Sequence, residues 1–278
     1  TPVYGYCVVR AYPHDRGAFT QGLFYLDGEL FESTGQVGAS TIRRVNIEDG
    51  RVVQSTDIPP PAFGEGIVNW GDQIVSLTWQ GGIGYRWDRA TLRRLGEWAY
   101  PGEGWGLTQN GREIIMSDGS AQLRFLDPET LAERRRTTIT DQGVPVPMLN
   151  ELEWVNGEIL ANVWMTPMIA RIDPTTGRVT GWIDLTALAM ETSGADRDSL
   201  LNGIAHDPAA RGYHVVYREH EVNHCPGCGR TQWLIGRVSA ECAFCTTALP
   251  LAEASMRHHA RPVIIQHRNR PQDSAYAA

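Results

Sequence analysis

A short phrase recurs five times along the chain. Its copies are Phe19-Thr20-Gln21-Gly22-Leu23, Phe63-Gly64-Glu65-Gly66-Ile67, Gly104-Trp105-Gly106-Leu107, Leu149-Asn150-Glu151-Leu152 and Leu201-Asn202-Gly203-Ile204. Each places a polar or aromatic residue before a Gly (once a Glu) and an aliphatic residue. The variable positions, Gln21, Glu65, Trp105, Asn150 and Asn202, stand 44, 40, 45 and 52 residues apart. Four short strand-like runs with turns follow each of the first four copies. In the first unit these are Gln21 onward, Glu29 to Ser33, Thr41 to Ile47 and Arg51 to Ile58, with turns at Asp27-Gly28 and Glu48-Asp49-Gly50. A period of 40 to 50 residues with four strands per unit is the pattern of β-propeller blades. A ring of blades also disposes of the exposed edges that a lone sheet would carry.

In a propeller the first strand of each blade lines the central channel. The repeat therefore brings sequence-distant positions to one channel mouth. The Gly and the aliphatic residue suit close approach and packing at the axis. Gln, Glu, Trp, Asn and Asn share no packing role, and varied polarity at one structural position marks a site. The fifth unit begins at Leu201 and then falters. A second strand over Gly212 to Arg218 and a contribution from the strand-like Val3 to Tyr12 would leave it one strand short. Thr186 to Asp198 reads as a short helix or loop.

Composition narrows the function classes. A net charge of −7 over 278 residues argues against general nucleic-acid binding, which relies on basic patches. No run of about 18 apolar residues is present, so no membrane span is expected. All 25 basic residues are arginine, which removes lysine Schiff-base or general-base chemistry. A start at Thr1 suggests a trimmed or processed form.

Eight phrases in register extend the pattern: Phe19 to Leu23, Leu30-Phe31-Glu32-Ser33-Thr34-Gly35, Phe63 to Gly66, Gly104 to Leu107, Ser117-Asp118-Gly119, Leu149 to Glu153, Ala161-Asn162-Val163-Trp164 and Leu201 to Ala205. Over residues 1 to about 208 the chain resembles the glutaminyl cyclases of the plant and bacterial type. These are five-bladed propellers unrelated to the animal zinc enzymes. The resemblance implies cyclisation of an N-terminal glutamine, on peptides or proteins, to pyroglutamate with release of ammonia and no catalytic cofactor. It implies that Glu65 is the catalytic glutamate and that Gln21, Trp79, Trp105, Asn150 and Trp164 line the substrate pocket. Asn202 joins them as the fifth copy of the phrase. It also implies a periplasmic or secreted location. The chain departs from the family in its last blade: the family's Gly-Lys-Leu-Trp-Pro strand, its channel lysine and its closing strand have no counterpart here.

Cyclisation joins two groups of one residue, so the reactants already lie at high effective molarity. What remains is to fold the glutamine and move a proton from the attacking amine to the leaving ammonia. One carboxylate can serve as base and then acid. Burial among Trp79, Trp105 and Trp164 is expected to raise the pKa of Glu65. The tryptophans can clasp the aliphatic stem and face the ammonium group. Asn150 and Gln21 offer amide groups to the substrate. Glu32, Asp118, Glu151 and Glu153 are the alternative carboxylates, read as structural.

The tail differs in kind. Cys225-Pro-Gly-Cys228 and Cys242-Ala-Phe-Cys245, thirteen residues apart, have zinc-ribbon spacing. Four thiolates would close a tetrahedral shell, so the zinc would be structural. Two disulfides or free thiols are the alternative. A four-thiolate site suits a reducing cytoplasm, against the compartment the propeller implies. The expected organisation is all-β: a five-bladed propeller with an incomplete last blade over 1–212, a zinc-ribbon-like segment over 213–255, and a basic tail over 256–278. Two functions compete. One is a glutaminyl-peptide cyclotransferase. The other is a catalytically impaired propeller that serves as a binding platform with a structural zinc ribbon.

Overall fold

Four sheets, each built on four successive antiparallel strands, follow one another along a computed structural model of the chain, and a short N-terminal strand borders the last of them as a fifth. Residues 1–6, 8, 10–192, 201–207, 233–235, 239–243 and 248–250 are described. After a two-residue β1 (Val3–Tyr4), the first sheet holds β2 (Thr20–Leu26), β3 (Glu29–Thr34), β4 (Thr41–Val45) and β5 (Val52–Asp57). The second holds β6 (Gly64–Trp70), β7 (Gln73–Thr78), β8 (Ile83–Asp88) and β9 (Arg94–Ala99). The third holds β10 (Leu107–Gln109), β11 (Ile114–Met116), β12 (Gln122–Leu126) and β13 (Glu133–Thr138). A small hairpin follows, β14 (Thr140–Asp141) and β15 (Val144–Pro145). The fourth sheet holds β16 (Leu149–Val155), β17 (Glu158–Val163), β18 (Met168–Ile172) and β19 (Val179–Asp184), and α1 (Thr186–Thr192) comes after it. The arrangement is a propeller-like all-β fold.

Local chemistry repeats as faithfully as the phrase. Asp27 and Gly28 both take positive φ, as do Asn156 and Gly157, which suits the tight hairpins that open the first and fourth sheets. The last hairpin of every sheet is headed by Asn46, Asp88, Asp127 or Asp173. Each accepts backbone N–H groups on its side-chain oxygen within the turn. Its carbonyl accepts the N–H of the residue four places on, which is Gly50, Leu92, Leu131 or Gly177, each at positive φ. These side-chain turns fix where the third strand ends and the fourth begins.

Burial follows radius. On β6 five consecutive residues, Gly64 to Val68, are buried, whereas β5 and β9 alternate half-buried and exposed. An inner strand is covered on both faces and an outer one on a single face. Three clusters of buried apolar side chains lie between successive sheets. Phe31 and Ile42 meet Ile74 and Trp87, Val75 and Leu77 meet Ile114 and Met116, and Leu123 and Phe125 meet Leu152 and Ile159.

The inner strands crowd at the axis. β2 packs on β6, β6 on β10, β10 on β16, and β16 back on β2. A Cβ on Gly22 would lie 2.8 Å from the Cα of Gly66; on Gly66, 2.7 Å from that of Gly106; on Gly106, 2.7 Å from that of Glu151. The Gly66 N–H donates to the Trp105 carbonyl at 2.7 Å. Ser33 Oγ donates to the Glu65 carbonyl at 2.5 Å, and Ser117 Oγ to that of Asn150 at 2.6 Å.

Between β16 and β2 lie residues 201–207, which form no strand. The N–H of Ile204 donates to Glu151 Oε2 at 2.8 Å and that of His206 to Glu153 Oε1 at 2.7 Å. On the other side, Gly203 approaches Leu23 so closely that a Cβ would sit 2.7 Å from its Cδ1.

The strand expected over Val3 to Tyr12 is corrected to Val3–Tyr4. It does not complete a fifth unit. The Trp182 N–H donates to the Pro2 carbonyl, so the N-terminal residues run along β19, the outer strand of the fourth sheet. Val3, Tyr4 and Tyr6 are exposed, so no buried face rewards the alternating pattern. The second strand expected over Gly212 to Arg218 lies outside the described residues.

The chain divides into two units, residues 1–3 with 12–209, and residues 4–11 with 210–278. In the second, β20 (Trp233–Ile235), β21 (Ser239–Cys242) and β22 (Ala248–Pro250) form an antiparallel three-stranded sheet. Cys225, Cys228 and Cys245 lie outside the described residues, and Cys242 ends β21.

The axis contacts predict opposite outcomes for two glycines. Gly66→Ala should cost about 3 kcal/mol through overpacking against the third sheet's backbone. Gly96→Ala on β9, where a Cβ meets nothing within 4 Å, should leave stability unchanged or raise it by about 0.5 kcal/mol. Urea unfolding of both variants measures the difference.

Candidate active site

The variable positions of the phrase project from irregularities in the inner strands. In the first sheet Thr20 pairs with Thr34 and Gly22 with Ser33, which leaves Gln21 without a cross-strand partner. In the second, Gly64 pairs with Thr78 and Ile67 with Ser76, so Glu65 and Gly66 together face Leu77. In the fourth, Leu149 pairs with Val163 and Leu152 with Ala161, so Asn150 and Glu151 face Asn162. A bulge inserts a residue and re-aims its side chain. In the third sheet Trp105 precedes β10, and its N–H donates to the Ser117 carbonyl at 3.1 Å.

Three amides form a chain across the seam between the fourth and first sheets. Asn150 Nδ2 donates to Asn202 Oδ1 at 3.2 Å, and Asn202 Nδ2 donates to Gln21 Oε1 at 2.8 Å. Asn202 thereby joins Asn150 to Gln21. Asn150 Oδ1 is buried with no hydrogen-bond partner, so it is an acceptor available to a ligand.

A second repeated position supplies aromatic rings. The residue after the second strand donates its N–H to the carbonyl two places before the variable position: Gly35 to Phe19, Trp79 to Phe63, and Trp164 to Met148. Trp79 is 40% exposed and Trp164 42%, so neither belongs to the packed cores. The rings form two groups. Phe63 stands edge-on to Phe19 and Trp79, with centroids 6.1 and 5.9 Å away. Trp105 and Trp164 make a T-shaped pair at 5.6 Å. Gly35 leaves the space for Phe63, whose ring atom Cε1 a Cβ there would approach to 2.3 Å.

Glu103 joins the two groups. Its Oε2 accepts the indole N–H of both Trp79 and Trp105, each at 2.9 Å. Glu103, Phe19 and Phe63 were not singled out from the sequence. The Gly102-Glu103-Gly104 run was a usable signal for the first, because it duplicates Gly64-Glu65-Gly66. The aromatic at the head of the first two phrases was the signal for the others.

Glu65 is 7% exposed. Burial raises its pKa well above the ordinary carboxylate range and the Glu103 charge raises it further; no hydrogen bond opposes either effect. The other candidate carboxylates are engaged. Glu32 accepts from Thr20 Oγ1 and meets His14 Nε2 at 2.9 Å. Asp118 pairs with Arg124 at 2.7 Å. Glu151 and Glu153 hold the 201–207 segment. Burial also raises Glu151 well above its usual range, and raises Glu153 to about 7. Among these five, Glu65 is the one whose carboxyl makes no hydrogen bond among the described residues, and the nearby charge it feels is that of Glu103, which holds two of the indoles.

Removing the Glu103 charge should lower the Glu65 pKa, because a neutral neighbour no longer disfavours the Glu65 anion. In Glu103→Gln the acid limb of Glu65 titration, followed by infrared absorption of the carboxyl group, should move to lower pH. A Glu65→Gln control identifies the band. An unmoved titration would show that the Glu103 charge does not govern Glu65.

Residues 1–218 match the glutamine cyclotransferase family. The glutaminyl-peptide cyclotransferase of Arabidopsis thaliana is 38% identical over 204 residues, covering 72% of this chain. The chain spans 64% of that relative's length. The crystal structure of Myxococcus xanthus glutaminyl cyclase is similar with a TM-score of 0.71 at 36% identity, over 75% of this chain and 90% of that one. With its family match spanning four sheets and every copy of the phrase, the chain belongs to the glutamine cyclotransferase family.

Proposed function

We propose that the chain is a glutaminyl-peptide cyclotransferase, acting on N-terminal glutamine of peptides and proteins. The observation that carries this reading is Glu65, a buried carboxyl group that makes no hydrogen bond among the described residues and feels the charge of Glu103, whose Oε2 holds the Trp79 and Trp105 indoles. The substrate's α-amine nitrogen attacks its own side-chain amide carbon. A new C–N bond closes the five-membered lactam, the bond to the side-chain nitrogen breaks, and ammonia leaves. Glu65 takes the proton from the attacking amine and returns it to the departing nitrogen. Its raised pKa brings it nearer to that of an α-amino group, about 7.7–8 when free. Proton exchange between the two is then less uphill than with an ordinary carboxylate.

The surroundings fit roles around that step. Trp79, Trp105 and Trp164 hold the aliphatic stem and face the ammonium group. Asn150 Oδ1 accepts a hydrogen bond from the substrate, and Asn202 fixes the Asn150 and Gln21 amides relative to each other. Glu103 is a positioning residue that sets two indoles. No cofactor takes part.

We further infer a fifth blade whose inner segment is 201–207. Support comes from its place between β16 and β2 and from the absence, among the described residues, of an apolar cluster between the fourth and first sheets. The propeller unit is taken as 1–212, followed by a four-cysteine segment over 213–255 and a basic tail over 256–278. Cys225, Cys228, Cys242 and Cys245 are inferred from their spacing to hold one structural zinc. Among the described residues no helix is long and apolar enough to cross a membrane. A periplasmic or secreted location rests on the resemblance of the propeller.

Glu65→Gln should lower kcat by about 100- to 10,000-fold, with circular dichroism unchanged. Mass spectrometry of a Gln-initiated peptide reads the loss of ammonia. Full activity in that variant refutes Glu65 as the shuttle, and no ammonia loss from folded wild-type protein favours the binding-platform alternative. Metal analysis of protein purified under reducing conditions should find one zinc per chain; none would refute the ribbon.

A further inference from the structure

The β14–β15 hairpin forms one wall of a cleft of about 580 Å³. Trp164 lines this cleft and also makes the T-shaped contact with Trp105. Met148, another lining residue, lies two positions before Asn150. The cleft therefore adjoins the candidate active site and shares the Trp164 ring with it.

Its chemistry is mostly apolar. Val144, Pro145, Pro147, Met148, Trp164 and Trp182 make most of its surface, and Val144, Met148 and Trp164 are 66%, 42% and 42% exposed. Contiguous exposed apolar surface next to a site marks a place of contact. Asp141 is the one ionisable lining residue. Its oxygens are committed to the Thr1 hydroxyl and, at 3.0 Å, to the Trp182 indole N–H. The hairpin is anchored at both ends: the Thr140 N–H donates to the Gly177 carbonyl and the Val146 N–H to the Ile139 carbonyl. Pro145 and Pro147 have no N–H, so that wall offers side-chain contact and little ladder hydrogen bonding.

Resting on the cyclotransferase reading, we propose that the cleft between the β14–β15 hairpin and Trp164 receives the residues that follow the N-terminal glutamine and selects apolar ones. A glutamine whose amine and side chain are held at Glu65 must send its carbonyl onward, and the cleft begins at the wall of its pocket. An apolar side chain at the second or third position covers Val144, Met148 and the outer face of Trp164. A carboxylate there gives up water and meets no free cation among the lining residues.

Binding is read apart from turnover by titrating Glu65→Gln protein with Gln-Phe-Leu amide, Gln-Asp-Ser amide and glutamine amide, using calorimetry. Gln-Phe-Leu amide should bind about tenfold more tightly than the other two, the amount expected from partly burying one large apolar side chain. Val144→Glu, at an exposed position, should shrink that ratio at least threefold when added to the same background. Equal affinities for the three ligands overturn the proposal, and so does a ratio that Val144→Glu leaves untouched. Ammonia release by wild-type protein is measured in parallel. If every glutaminyl substrate fails there, the cyclotransferase reading falls, while the three affinities still decide the cleft.

Discussion

The inner strands approach so closely that no Cβ fits between them, and the rest of the propeller unit depends on that contact. Gly22 against Gly66, Gly66 against Gly106 and Gly106 against Glu151 are backbone-to-backbone approaches. They force the first three sheets to present a glycine at the axis, and in the first two the residue before that glycine sits on a bulge. Gln21, Glu65 and Asn150 lie outside the regular ladder of their sheets. Architecture and candidate site come from the same short stretch: the glycine lets neighbouring inner strands close-pack, and a bulge in the first, second and fourth sheets takes one phrase residue out of the ladder.

The fourth copy breaks the rule and shows why the rule exists. Glu151 stands where the others have glycine, and it is completely buried. Its neighbour is the strandless 201–207 segment, which leaves room for a side chain. The carboxyl group fills that room and accepts the Ile204 N–H. Glu153 does the same for His206. Where three seams are closed by apolar side chains, this one is closed by carboxyl groups bonded to backbone. A backbone segment without a ladder needs acceptors for its N–H groups, and the buried Glu151 and half-buried Glu153 carboxyl groups supply two.

Much of this could be read from residue order because the period of the phrase is long and its glycines are constrained by sterics. The four strands per unit, the Asp27-Gly28 turn and the meeting of Gln21, Asn150 and Asn202 follow from it. What escaped depends on contacts between loops. Glu103 holds two indoles that lie 26 residues apart, and no local pattern announces that. The β14–β15 hairpin is only two residues per strand, below what alternation can reveal. The extended run at Val3 to Tyr12 misled for the converse reason. Its β-branched and aromatic residues have strand propensity, yet with exposed side chains propensity alone sustains just two residues of strand.

The amide chain ties the closure of the seam to the chemistry at the mouth. Asn202 reaches Asn150 on the fourth sheet and Gln21 on the first, and Gly203 beside it fits against Leu23. Its position is set by the backbone hydrogen bonds that Glu151 and Glu153 accept just downstream. A shift of that segment would move Asn202, release both amides and reorient the unpartnered Asn150 Oδ1. The carboxyl groups that hold the seam thus govern the geometry of the amide chain. Glu65, by contrast, is set within the second sheet, through the Ser33 hydroxyl on its carbonyl and the Trp105 carbonyl on the next N–H. Glu65 and the amide chain are consequently held by different parts of the fold. The first relies on the close-packed glycine axis, and the second on the seam that the 201–207 segment fills.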